Sequence, residues 1–397
     1  MSQTFVAGVP READPEERRV ALVPQSLPAL KKLNVDVILQ AGAGEAAGFP
    51  DALYREKGAT IVDDRDAVYS QAGIILQVRT LGACGDYGDA DVGRFRSGQV
   101  VISGCEPLWC PQGVQRAAAS GATIFSLELV PRITRAQSMD ILSSMATIAG
   151  YRAVLLAATA APRMFPLMMT AAGTLKPARV MVIGAGVAGL QAIASAKRLG
   201  AVVLGYDIRP AVREQVESLG GKFVELDVKA DDAESKGGYA KEMSDDFYRR
   251  QQEALKKVIA ECDVVITTAA IPGRKAPVLL TKEMAEAMAP GSVIVDIAAE
   301  RGGNCEVTVP GQTIQHNGIT VIGPVNLASS IPVHASEMFS KNITTFLTPL
   351  IKSGELKIDL NDEVLRETLV ARDGEVVNPR VRSLLELPDL APVTGTT

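Results

Sequence analysis

Arg179-Val180-Met181-Val182-Ile183-Gly184-Ala185-Gly186-Val187-Ala188-Gly189-Leu190 is an apolar run followed by three glycines at the spacing Gly-x-Gly-x-x-Gly. Each glycine has its own physical reason. Gly184 permits a tight turn out of a strand, Gly186 lets a pyrophosphate approach the backbone, and Gly189 lets the next helix pack closely on that strand. The anion would then meet the first amide groups of the helix, at Val187 and Ala188, and its positive dipole end. Asp207 closes the next apolar run, about twenty residues on, where a ribose-binding carboxylate is expected. A carboxylate there accepts hydrogen bonds from an adenosine ribose and repels a 2′-phosphate, which favours NAD over NADP. Arg209 is the opposing feature, since a nearby arginine can accept that phosphate. Ile208 and Ala269, beside strand-like runs, are counted with these residues as candidate cofactor contacts.

Composition narrows the function classes. The chain has 397 residues, 47% hydrophobic and 22% charged, which is the balance of a globular protein of two or three domains. A net charge of −5 and the lack of a long basic run argue against nucleic acid as a partner. No run of about 18 uninterrupted apolar residues occurs, so direct membrane insertion is not expected. The segment from Met1 to Gly8 lacks a basic stretch followed by an apolar one, and a cytoplasmic protein is expected. Cys84, Cys105, Cys110, Cys262 and Cys305 are irregularly spaced, which reads as reduced and mostly buried thiols. The histidines, His316 and His334, neighbour no second ligand at helical spacing, so no metal site is expected.

Around the glycine turn, short β-rich runs alternate with amphipathic helical stretches, the pattern of parallel α/β sheets. Strands are predicted at residues 4–9, 35–39, 60–62, 73–77, 100–103 and 123–126, with helices near 25–33, 52–57 and 65–71. These form an N-terminal α/β domain over residues 1–140. An Ala-rich helical region follows over about 137–170, apolar nearly all round, and is expected to be buried between domains or against another subunit. Strands at 179–183, 201–206, 222–224, 263–267, 292–297 and 319–322 make a Rossmann domain over 141–327. A helix over 335–351 leads to a charged, turn-rich tail and is expected to return to the first domain, so that 328–397 complete it. The expected fold is therefore α/β: two Rossmann-like parallel-sheet domains with a cleft between them, the second inserted into the first. The cleft would be the natural binding site.

The stretch Pro131-Arg132-Ile133-Thr134-Arg135-Ala136-Gln137-Ser138-Met139-Asp140-Ile141-Leu142-Ser143-Ser144 is unusual, as are residues 168–174, 186–194, 214–223, 237–243 and 300–305. In these runs, and over nearly its full length, the chain resembles the soluble NAD(H)-binding component (domain I) of the proton-translocating nicotinamide nucleotide transhydrogenases. The resemblance implies hydride transfer from NADH to NADP⁺ held by a separate NADP(H)-binding component. It also implies a membrane-spanning component that couples the transfer to proton translocation. It further implies a homodimer, attached to the cytoplasmic membrane through those partner subunits. By the same resemblance Arg132, Gln137, Asp140 and Ser143 form a loop around the nicotinamide, and Tyr239 and Met243 lie on a mobile loop that closes over bound nucleotide. The chemistry of the residues agrees. An arginine, an amide and a carboxylate can hold the carboxamide and ribose and fix which ring face is presented, and apposition of two rings supplies much of the catalysis. The polar stretch 229–252, with Gly237-Gly238 and dense charge, reads as a solvated lid.

The architecture also resembles alanine dehydrogenase, whose chemistry needs a cation for the substrate carboxylate and groups that move protons. Arg19 matches that family's substrate arginine. Gln77 stands at its lysine position, Cys105 in the Gly104-Cys105-Glu106 segment at its histidine position, and Glu300 at its aspartate position. Hydride exchange between two nicotinamides moves no proton at the reacting carbons and needs no general base, so these departures suit a transhydrogenase. A non-enzymatic NAD(H)-sensing protein is a third reading. The Arg132, Gln137 and Asp140 loop argues against it, because a sensor does not need the nicotinamide edge presented outward.

Overall fold

Runs rich in valine and isoleucine form the strands Phe5–Val9 (β1), Val35–Gln40 (β2), Thr60–Val62 (β3), Ile74–Arg79 (β4), Val100–Gly104 (β5) and Thr123–Ser126 (β6). The helices Leu27–Lys32 (α1), Asp51–Glu56 (α2), Arg65–Gln71 (α3) and Pro111–Ala118 (α4) connect them. Each of these strands lies parallel to its neighbours among the six, with β1 paired to β2 from Phe5–Val35 to Val9–Leu39. The computed structural model describes residues 4–226, 244–352 and 355–390.

The helix Ile141–Ala160 (α5) then carries the chain into a second unit. That unit contains the hairpin Met168–Thr170 (β7) and Gly173–Leu175 (β8), then Arg179–Ile183 (β9), Val187–Arg198 (α6), Val202–Tyr206 (β10), Arg213–Ser218 (α7), Lys222–Phe223 (β11) and Asp245–Ala260 (α8). Val264–Thr267 (β12), Lys282–Glu286 (α9), Val293–Asp296 (β13), Thr313–His316 (β14) and Ile319–Ile322 (β15) complete it. Its sheet runs β11-β10-β9-β12-β13-β15-β14, and all pairs are parallel except β14 with β15. The strand order reverses between β9 and β12. In open α/β sheets a ligand crevice lies at the carboxyl ends of the strands on either side of such a switch point.

The long helix Pro332–Leu350 (α10) belongs to the first unit again, followed by the small hairpin Ile351–Lys352 (β16) and Glu355–Leu356 (β17). After the helix Glu363–Thr368 (α11), Leu369–Arg372 (β18) pairs antiparallel with β6, Glu375–Val376 (β19) pairs with β18, and Pro379–Leu384 (α12) follows. The first sheet therefore has the order β19-β18-β6-β5-β4-β1-β2-β3. By internal packing one unit comprises Met1–Met145 with Ile331–Thr397, and the other Ala146–Ser330.

Three expectations from the sequence need correction. The helix predicted over 137–170 stops at Ala160, because Pro162 and Pro166 follow, and Gly173 at φ +118° turns the next residues into the β7–β8 hairpin. At its front, Thr134–Met139 is a 3-10 turn rather than α-helix. The turn-rich tail contains β18 and β19, joined through Asp373-Gly374, and the unpredicted β14 joins β15 through Asn317-Gly318. In both turns both residues have positive φ, the backbone that two-residue hairpins need and that Asp-Gly and Asn-Gly favour.

At 20 residues α5 is about 30 Å long. By length and composition it is the one described helix that could cross a membrane. Within its own unit Ala153, Val154 and Ala157 are buried against Val180, Val182 and Ala192. Gly150 has no room for a side chain, since a Cβ there would lie 2.0 Å from the Ala188 carbonyl oxygen. The backbones of α5 and the first turn of α6 thus touch, which fixes where α6 begins.

Candidate functional site

The three glycines differ in what they allow. Gly184 has φ +94°, and a Cβ there would meet Thr268 Oγ1 at 2.6 Å, so the turn at the end of β9 needs glycine on both counts. At Gly189 a Cβ would stand 1.8 Å from the Gly184 carbonyl oxygen. Gly186 is different: its φ of −77° suits any residue, and a Cβ would meet nothing closer than Arg209 Nη2 at 4.0 Å. Gly186 is the N-cap of α6 and supplies no side-chain cap, so the first amide groups of the helix, at Val187 and Ala188, lack that partner. A helix start of this kind is an anion site.

Asp207, at the end of β10, is buried. Its Oδ2 accepts a hydrogen bond from the Ala185 amide at 2.7 Å, which ties the strand end to the glycine turn. Arg209 folds back on it: the Arg209 amide and Nε donate to Oδ1 at 2.9 and 2.8 Å, and Nη2 donates to Oδ2 at 2.8 Å. The arginine expected as a 2′-phosphate ligand therefore neutralises Asp207. Ile208 between them is half-buried. Ala269, two residues beyond β12, lies next to Thr268, whose Oγ1 donates to the Gly184 carbonyl at 3.0 Å. An anionic dinucleotide suits this set, since a helix start without a side chain, a turn without Cβ atoms and a ribose-height carboxylate converge. Tyr239 and Met243, and with them most of the 229–252 stretch, lie outside the described residues.

In the other unit, the loop after β6 is pinned from below. Ala136 and Met139 are buried in its core, Asn342 Nδ2 donates to the Ser138 carbonyl at 2.9 Å, and Arg135 pairs with Asp362 at 2.8 Å. That anchoring leaves Arg132 and Gln137 exposed on the same short segment. Asp140 and Ser143 are brought together: Asp140 accepts from the Ser143 amide at 2.9 Å and from Ser143 Oγ at 2.6 Å. Asp140 thereby caps the first turn of α5, which holds its carboxylate in place.

The positions matched to alanine dehydrogenase look different in three dimensions. Arg19 is buried against Glu17, with Nε to Oε1 at 2.7 Å and Nη2 to Oε2 at 2.5 Å, so its charge is matched within the protein. Gln77 is fully buried, accepting from Tyr69 Oη at 2.9 Å and donating to Asp91 at 3.2 Å. The cation on that strand is Arg79, two residues on and 3.8 Å from Asp14, which nothing in the sequence singled out. The Cys105 thiol is buried beside Ser103 and Thr80, and burial pushes it up to about 12. Burial also pushes Cys262 and Cys305 up to about 11, so neither is a thiolate near neutrality. Glu300 accepts a hydrogen bond from the Asn326 amide.

Glu12 stands beside this cluster and accepts from the Val78 and Arg79 amides at 2.8 and 3.0 Å. Burial first, and then the nearby Glu17 charge, push its carboxyl up from 4.5 to about 8, against those amides and Arg19. A carboxyl raised in the folded state binds its proton more tightly there than in the unfolded chain. Its contribution to stability is therefore fully present below pH 4.5 and is lost as the pH rises towards 8. Glutamine offers the single acceptor of the protonated acid, so Glu12→Gln should flatten this decline. It should leave the protein more stable than the parent at pH 8 by about 1–2 kcal/mol, with no gain at pH 4. Urea unfolding at a series of pH values measures it, and parallel curves would remove Glu12 as the cause.

Comparison with known proteins agrees with this geometry. Residues 8–149 match the alanine dehydrogenase/PNT N-terminal domain, and residues 153–379 the alanine dehydrogenase/PNT C-terminal domain. The chain is 46% identical over 375 residues to the first of the separate alpha-subunit chains of NAD(P) transhydrogenase from Rhodospirillum rubrum, covering 94% of this chain and 97% of that one. The crystal structure of transhydrogenase from Sinorhizobium meliloti matches with a TM-score of 0.82 and 42% identity, over 94% of this chain and 100% of that one. Alanine dehydrogenase of Mycolicibacterium smegmatis is 27% identical, over 97% of this chain and 98% of its own. With glycine turn, Asp207 and both domains accounted for, the chain belongs to the alanine dehydrogenase/PNT family and, within it, to the NAD(P) transhydrogenase alpha subunits.

Proposed function

We propose that this chain holds NAD(H) at the glycine turn and presents the nicotinamide to NADP(H) carried by a separate component. Gly186 carries the reading. Neither its backbone angles nor its neighbours require glycine, and a side chain there would stand only in the way of a molecule approaching the helix start. When bound, NADH supplies the hydride that reduces NADP⁺. The residues of this chain bind and orient. The amides of Val187, Ala188 and Gly189 face the pyrophosphate, and Asp207, with Ile208 and Arg209 beside it, faces the adenosine ribose. Ala269 borders the site beyond β12. Arg132, Gln137, Asp140 and Ser143 hold the carboxamide and nicotinamide ribose, while Tyr239 and Met243 close over the nucleotide. An NADP(H)-binding subunit and a membrane-spanning subunit complete the enzyme and couple hydride transfer to proton translocation. The chain itself sits on the cytoplasmic side.

A homodimer belongs to the same reading. The β7–β8 hairpin is supported by two short strands and exposes Leu167 at 57% and Met169 at 81%, with Met164 and Leu175 nearby. Apolar side chains gathered on a projecting hairpin mark an association surface. Against an amino-acid dehydrogenase stands the Glu17 carboxylate on Arg19, which matches the cation a substrate carboxylate would need.

Reconstitution with the NADP(H)-binding component, following NADH-dependent reduction of an NADP⁺ analogue, tests the proposal. Tight NADH binding without turnover would favour an NAD(H)-sensing protein instead. One variant tests the ribose assignment separately. Asp207→Ala removes the ribose acceptor and releases Arg209, so NADH affinity should fall about tenfold while NADPH affinity rises. Fluorescence titration with both nucleotides measures this, and unchanged affinities would take Asp207 out of the site.

A further inference from the structure

We propose that Asp296 and Asn304 are positioning residues that fix the nicotinamide half of the dinucleotide site while leaving the adenosine half untouched. The inference rests on the reading of the glycine turn as the NAD(H) site. Neither residue stood out by type or spacing in the sequence.

Asp296 ends β13 and is fully buried. Its Oδ1 accepts from Thr267 Oγ1 at 2.9 Å and from the Ala298 amide at 3.1 Å. Its Oδ2 accepts from the Asn304 amide at 2.7 Å, the Cys305 amide at 3.0 Å and Thr308 Oγ1 at 2.8 Å. Five donors from the end of β12 and the loop after β13 thus converge on one carboxylate. The loop closes over it because Gly303, at φ +77°, has no Cβ; one would lie 2.8 Å from Oδ2.

The wrapped loop presents Asn304 inward, where its side chain is fully buried and its amide is fully engaged. Asn304 Oδ1 accepts from the Ala269 amide at 3.0 Å, and Nδ2 donates to the Ala269 carbonyl at 2.9 Å and the Pro277 carbonyl at 2.8 Å. One side chain therefore grips the Ala269 backbone on both its polar groups. Thr268, the preceding residue, hydrogen-bonds the Gly184 carbonyl. A continuous set of buried hydrogen bonds runs from Asp296 through Asn304 to the wall of the glycine turn, and no link in it touches the ligand.

Sheet order says which half of a ligand this wall serves. Asp207 ends β10 on one side of β9, whereas Ala269 follows β12 on the other. A dinucleotide straddling the switch point places its adenosine over the first side and its second nucleoside over the other. A shift of Ala269 should therefore be felt by NADH but not by ADP, which ends at the pyrophosphate. Loss of overall stability would weaken both.

The test uses the whole chain and two probes, NADH and ADP, titrated calorimetrically. Asn304→Asp keeps the shape but replaces the Nδ2 donor with an acceptor facing two carbonyls. Its NADH dissociation constant should rise at least about tenfold, with that of ADP within about twofold of the parent. Thr308→Val, which keeps the volume and removes one of five donors, folds even where Asn304→Asp does not. It should raise the NADH constant about threefold and leave ADP unchanged. Equal weakening of both probes, or no change in either, overturns the positioning role. If the unaltered chain binds neither NADH nor ADP, the reading of the nucleotide site itself fails instead.

Discussion

Replacing Gly189 by alanine is expected to weaken NADH binding by more than about 100-fold, or about 2.8 kcal/mol. The new Cβ would lie 1.8 Å from the Gly184 carbonyl oxygen and 3.3 Å from Thr268 Oγ1, so the first turn of α6 must lift away from β9. α6 cannot move freely in response, because the Ala188 backbone is already against Gly150 of α5. Overpacking of this kind typically costs about 1–3 kcal/mol in stability, which a core built on a seven-stranded sheet should survive. The loss should therefore appear mainly in affinity, by calorimetric titration of a protein that still melts cooperatively. Gly186→Ala is the informative control. Its Cβ meets nothing inside the protein nearer than 4.0 Å, so the melting temperature should not move. NADH affinity should still fall about tenfold, because the methyl group occupies the approach of the pyrophosphate. Unchanged NADH affinity in Gly186→Ala would show that no ligand comes close to the turn.

Gln137→Asn should lower the rate of hydride transfer to the reconstituted NADP(H) component about 100-fold, with NADH affinity within about threefold. The 3-10 turn that carries Gln137 is fixed by Ala136, Met139 and the Asn342 bond to Ser138, so the backbone cannot follow the shortened side chain. The amide retracts by about one carbon–carbon bond, and a misplacement of about 1 Å at a reacting centre costs about that factor. Stopped-flow transfer measurements beside equilibrium titration separate the two quantities. If affinity falls as far as the rate, Gln137 binds nucleotide without setting its geometry.

Much of the fold is legible in the sequence because parallel strands buried on both faces are continuous apolar runs. The strands Thr60–Val62, Thr123–Ser126, Arg179–Ile183 and Ile319–Ile322 have the predicted limits. The fold class and the family follow from the same runs. The elements that escape such a reading obey different rules. β14, β18 and β19 are short antiparallel strands whose signal lies in their Asn317-Gly318 and Asp373-Gly374 turns rather than in hydrophobicity. The β7–β8 hairpin reads as helix because its methionines and leucines are good helix formers. The prolines that exclude a helix there act on the backbone, not on the apolar pattern.

For the site, the sequence alone determined the local features: the glycine turn, its place between β9 and α6, and Asp207 at the next strand end. Each depends on one residue's backbone freedom or on its position along a strand, and both can be counted along a chain. Only the tertiary structure decided that Arg209 closes on Asp207, that Glu17 matches Arg19, and that Asn304 grips Ala269. These are choices of partner among charged and amide groups with several within reach. In a parallel sheet, neighbouring strand ends are separated by whole helices, so Asn304 and Ala269 lie 35 residues apart in sequence while in hydrogen-bond contact. Spacing along the chain carries no trace of such a meeting, because it is set by sheet order and by which donors burial leaves to be satisfied.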